Sequence, residues 1–161
     1  MYEGNHYKSW SGLKKQLTGM LCDELKDRIS YNLVRYHQVH NSYGRVAILL
    51  DDRELAAFSW REMYQQDDDT GALWDFEKGT VEDGGEEILK EKWNCDATYS
   101  DYDFLEAATG YLQMPVKDAL ESGNYLIRIF AVMDRRVGRR TLDKIRQDGR
   151  YLDLPEWVGQ F

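Results

Sequence analysis

The chain has 161 residues, 42% of them hydrophobic and 31% charged, with only two prolines and two cysteines. That composition places the chain with globular rather than disordered proteins, leaves no room for a Pro-rich linker, and predicts one domain of ordinary size over residues 1–161 that can bury a core without disulfides or metals. The net charge of −8 disfavours non-specific contact with nucleic acid or an anionic membrane, and no run approaches the ~20 apolar residues of a membrane span.

Ser9 or Ser11 can cap a first helix. Leu13, Leu17, Met20 and Leu21 then form one apolar stripe, with Lys14, Lys15 and Gln16 facing away. After Lys26 the period shortens to two, which predicts a strand from Ile29 to Val39. Asn41 to Gly44 reads as a turn. Val46 to Leu50 predicts a second strand, apolar on both faces and therefore central. Asp51-Asp52 reverses the chain tightly, and Glu54 to Ser59 returns as a third strand of an antiparallel meander.

From Trp60 to Cys95 the pattern weakens into a short helix to Gln66, a loop over 67–71 and a helical stretch from Glu86 to Trp93. Ser100 and Asp103 form an S-x-x-D capping signal for a helix to Gln113, with Phe104, Ala107, Ala108, Tyr111 and Leu112 as its buried face. Pro115 opens a short helix that Gly123 ends. Tyr125 to Met133 is the most apolar stretch and predicts a fourth, mid-sheet strand. Asp134 predicts the cap of a last helix to Gln147, after which Leu152, Leu154, Trp157, Val158 and Phe161 fold back on the core. The order predicts an α+β fold, an antiparallel sheet of about four strands with helices packed on one face.

Both ends of the chain carry recognisable text. Near the N-terminus these are His6-Tyr7, Ser9-Trp10-Ser11 and Leu13-Lys14-Lys15-Gln16-Leu17; near the C-terminus, Asp134-Arg135-Arg136-Val137-Gly138-Arg139-Arg140-Thr141-Leu142 ahead of Pro155-Glu156-Trp157. With these segments the chain resembles a family of small, uncharacterised bacterial cytosolic proteins. The resemblance leaves the acidic centre unmatched. It implies a bacterial, cytoplasmic origin and no chemistry. The absence of a signal-like apolar run in the first ten residues points to the same compartment, where Cys22 and Cys95 stay reduced.

Charge is the strongest functional signal. Residues 51–125 hold twenty acids against six Lys/Arg, while each flank is net positive by three. Tyr and Trp residues stud this acidic centre. Aromatics anchor interfaces and charge steers them, so Asp67, Asp68, Asp69, Trp74, Asp101 and Tyr102 are candidates for docking a basic protein. The competing reading is that the aromatics staple long loops to the sheet. The second signal is Arg135, Arg136, Arg139 and Arg140 at the start of the last helix. Cations there oppose the helix dipole, so they either pair with the acidic centre, hold a phosphate or other anion, or dock a partner.

Other motifs are weak. Gln66 to Glu77 has calcium-loop spacing, with Asp68, Thr70, Gly71, Leu73 and Glu77 in place, but Gln stands at the first ligand position and Gly79 follows too soon for a helix. His37 and His40 sit at a strand end, where i and i+3 point to opposite sides. No nucleophile elbow, P-loop or dinucleotide fingerprint occurs, so no catalytic residue, metal or cofactor is assigned. The preferred expectation is a non-catalytic bacterial protein, such as an immunity or inhibitor protein, that binds a basic partner. The alternative is a protein that binds a phosphate ligand or nucleic acid through the four arginines.

Overall fold

The computed structural model describes residues 9–35, 44–59, 73–75, 80–82, 99–149 and 151. Two units are distinguished by their internal packing, Met1–Ile29 with Leu105–Phe161, and Ser30–Phe104. The class is α+β, as the element order predicts.

The helical unit begins at Ser9, whose hydroxyl accepts the Gly12 N–H at 3.1 Å and starts α1 (Trp10–Met20). Leu13 and Leu17 are buried on one side of α1, and Leu21, Leu25 and Ile29 extend that apolar line past its end. The helix α2 (Asp101–Gln113) contributes Leu105, Ala107, Ala108 and Tyr111 to this core. Pro115 caps α3 (Val116–Leu120).

The stretch expected to be a mid-sheet strand is instead helix α4 (Tyr125–Val132). A continuous apolar run fits a buried strand or a buried helix equally well. Asn124 decides locally, because its side-chain oxygen accepts from the N–H groups of Leu126 at 2.9 Å and Ile127 at 3.3 Å. Burial of Leu126, Ile127, Ile129, Phe130, Ala131 and Val132 explains why no polar face marks the period. The Phe130 ring stacks on Tyr111 with centroids 5.3 Å apart.

The last helix, α5 (Arg139–Asp148), also begins later than predicted. Gly138 is its N-cap, Asp134 is not, and Gly149 ends it in the left-handed conformation at φ 62°. The Tyr151 hydroxyl donates to the Leu120 carbonyl, and Arg128 lies 5.6 Å over the Tyr151 ring. Leu152 to Phe161 lie outside the described residues.

The other unit holds the sheet, in the order β1 (Ile29–Arg35), β2 (Gly44–Leu50), β3 (Arg53–Ser59), antiparallel throughout. Among the described residues the sheet has three strands rather than four, because the fourth candidate is α4. The central place of β2 follows from its two apolar faces: Val46 and Ile48 are buried on one, Ala47 on the other beside Ala57. The register pairs Val46 with Phe58 and Leu50 with Arg53, with an irregularity between Ile48 and Leu49. A separate two-stranded ribbon pairs β4 (Leu73–Asp75) with β5 (Thr80–Glu82) antiparallel.

Packing within the sheet unit centres on Phe104, in the first turn of α2. Its ring lies 5.5 Å from Phe58 and 6.1 Å from Tyr31. The predicted capping signal sets this turn: Ser100 N–H donates to Asp103 Oδ2 at 2.7 Å, and Asp103 N–H donates to Ser100 Oγ at 3.2 Å.

The β2–β3 hairpin turns on Asp51 and Asp52, both in the left-handed region at φ 50° and 64°. That geometry matches strand twist but suits glycine best at the second position. Asp52→Gly is therefore expected to stabilise the protein by about 1 kcal/mol, read as a higher urea midpoint at unchanged slope.

Candidate functional site

The turn between α4 and α5 is built around Asp134. Cys22 N–H donates to the Met133 carbonyl at 2.9 Å and Arg135 N–H donates to the Met20 carbonyl at 2.8 Å, a one-rung antiparallel bridge between Leu21 and Asp134. The bridge sets Asp134, 2% exposed, beside Tyr111. The Tyr111 hydroxyl donates to Asp134 Oδ2. Arg136 donates its backbone N–H to Oδ1 at 2.7 Å, Nε to both oxygens at 3.1 Å and Nη2 to Oδ2 at 2.7 Å.

Burial pushes the Asp134 carboxyl up, but the hydrogen bonds from Arg136 and Tyr111 outweigh it and hold the group below its usual range. The same hydrogen bonding to Asp134 raises Arg136. Both carboxylate oxygens are occupied by donors, so this cluster is a closed structural clamp.

The clamp corrects the reading of the four arginines. Arg135 and Arg136 precede α5 rather than opening it, because the chain needs residues 134–138 to make the bridge and the turn. Arg136 is held on Asp134 within its own unit. Arg139 and Arg140 do occupy the first turn of α5, where no acid and no side-chain cap is present. No ion pair of Arg135, Arg139 or Arg140 occurs among the described residues.

A groove of about 430 Å³ lies between α3 and α5, lined by Lys117, Leu120, Glu121, Arg140, Thr141, Lys144 and Ile145. Arg140 and Lys144 are i and i+4 on α5 and share a face, and Lys117 reaches the groove from α3. Leu120 and Ile145 supply apolar lining, and Ile145 is buried. Of the sequence-predicted cluster, Arg140 lines this groove and Arg135, Arg136 and Arg139 do not. Lys117 is a residue that reading along the chain missed, because it lies 23 positions upstream and joins Arg140 only through tertiary packing.

The acidic candidates fare unevenly. Asp67, Asp68 and Asp69 lie outside the described residues, as do His37, His40 and most of the calcium-like stretch. Trp74 sits in β4. Asp101 was expected on an exposed docking surface, but it is fully buried at 0% exposure in the first turn of α2, where a carboxylate suits the helix dipole. It is removed from the surface set. Tyr102 beside it is half-buried.

Cys22 is a free, half-buried thiol, and burial raises its pKa, which makes it a poor nucleophile. Among the described residues no group of three or more His, Cys, Asp or Glu side chains is placed to hold a metal ion, and no helix is long and apolar enough to cross a membrane.

No curated protein and no solved structure matches the chain. The SF0329 protein family does, over residues 9–161. That match takes in the acidic centre as well as the two ends, so the chain belongs to the SF0329 protein family.

Proposed function

We propose that the protein is a non-catalytic bacterial binding protein, of the immunity or inhibitor type, whose acidic and aromatic central segment docks a basic partner in the cytoplasm. The observation that carries this reading is the net charge of −14 over residues 51–125, set between flanks that are each net positive. A concentrated negative segment speeds encounter with a basic protein and discriminates against acidic ones.

One structural fact supports it: Arg136 is occupied by Asp134, an acid outside the central segment. With Asp101 buried, the docking set is Asp67, Asp68, Asp69, Trp74 and Tyr102.

The test compares wild-type protein with a variant carrying Asp67→Lys, Asp68→Lys and Asp69→Lys as baits in the native host extract, followed by titration of the recovered partner. A basic protein that binds wild type, binds the variant at least tenfold more weakly, and loses affinity as salt rises supports the reading. Equal binding of wild type and variant removes it.

A further inference from the structure

We propose that the groove between α3 and α5 is a binding site for a small phosphate-bearing molecule, held by Lys117, Arg140 and Lys144. The site shares no residue with the proposed docking set Asp67, Asp68, Asp69, Trp74 and Tyr102, and stands or falls separately.

Three cations converge on one concavity of about 430 Å³, against a single acid, Glu121. All three are solvent-exposed, and none is in an ion pair among the described residues. Three cations outnumber the one acid lining the groove and repel one another on balance, and an anion between them removes that repulsion. Of the two acids nearest the start of α5 in sequence, Asp143 lies 4.0 Å from Arg146 and Asp134 is turned inward onto Arg136 and Tyr111.

The remaining groups suit a phosphate ester better than a bare ion. The Thr141 hydroxyl can donate to a phosphate oxygen, and Arg140 offers a planar fork. Leu120 and Ile145 offer apolar surface to whatever carries the phosphate. The volume falls in the range of small-ligand pockets, about 300–1,000 Å³. A nucleic acid fits less well, because the chain as a whole carries −8 and a long polyanion would meet that field while a small molecule in the groove meets chiefly the local cations.

The experiment is calorimetric titration of the full chain with pyrophosphate, ADP and a single-stranded DNA oligonucleotide, at low and at physiological salt. Pyrophosphate or ADP is expected to bind, and Lys144→Glu to weaken it at least tenfold. Glu121→Gln, which removes the opposing charge, is expected to tighten it severalfold. Arg139→Glu reverses a charge on the same helix outside the groove and is expected to change affinity less than twofold. All three positions are exposed helix or helix-end sites, and unchanged thermal melts of the variants verify folding. The proposal is overturned if neither pyrophosphate nor ADP binds at low salt. It is equally overturned if Arg139→Glu weakens binding as much as Lys144→Glu, which would mean diffuse attraction, or if the oligonucleotide binds more tightly than ADP.

Discussion

Phe104→Ala is expected to destabilise the protein by about 3–5 kcal/mol, the largest single-residue effect in the sheet unit. Phe104 is fully buried at 0% exposure, and its ring is in contact range of both Phe58 and Tyr31. Truncation removes the transfer free energy of the ring and leaves a cavity between two other aromatics that are themselves about 1% exposed. A domain of this size has about 5–15 kcal/mol in total, so the variant should be close to its folding threshold. Urea unfolding followed by tryptophan fluorescence measures the loss. Phe104→Leu, which keeps most of the volume, should recover more than half of it. Equal destabilisation by Leu and Ala would mean that ring–ring geometry, not cavity volume, dominates.

Asp134→Ala is the second large effect, expected at about 2–4 kcal/mol. The substitution strands the buried Tyr111 hydroxyl and takes the acceptor from the Arg136 backbone N–H and guanidinium. The guanidinium side chain is 36% exposed and can turn to water, which places the cost below that of a fully buried pair left half-broken. Tyr111→Phe removes one donor and should cost less, about 1–2 kcal/mol, because the ring keeps its stack on Phe130. A double-mutant cycle between Asp134→Ala and Tyr111→Phe should give a coupling energy of about 1 kcal/mol or more.

The same clamp predicts how stability responds to acid. The Asp134 carboxyl lies below its ordinary value in the folded protein. The folded state therefore binds that proton less readily than the unfolded chain does. Its contribution is fully present above the unfolded carboxylate value of about 4 and is lost as pH falls through the lowered folded value. The difference in stability between wild type and Asp134→Asn should be flat from about pH 5 to 8 and narrow below about pH 4. A difference that instead grows on acidification would contradict the clamp.

Much of the local structure is readable residue by residue. Ser9 and the Ser100–Asp103 pair announce helix starts because a short side chain with an acceptor at that position has one common use. Asp51-Asp52 between two apolar runs announces the hairpin for a similar reason, since few residue types tolerate positive φ. The two apolar faces of Val46 to Leu50 announce the centre of the sheet. In each case the information lies within a few residues of the feature it specifies.

The misreadings arise where the deciding partner is far along the chain. Tyr125 to Val132 is apolar apart from the single charge of Arg128, too little to mark a period, and burial among other helices fixes what periodicity could not. Asp134 has the type and spacing of a helix cap; Tyr111 of α2 and the bridge to Leu21 draw it into the interior, and the last helix starts five residues later at Arg139. Asp101 is likewise drawn from an apparently acidic surface into a buried first turn. Four neighbouring arginines look like one cluster in the text, yet one closes an internal clamp and another joins Lys117 in a groove. Composition and short-range chemistry are properties of the chain and survive in any arrangement. Which charge ends up spent, buried or left facing solvent depends on long-range packing, and that is where the functional surfaces of this protein are assigned.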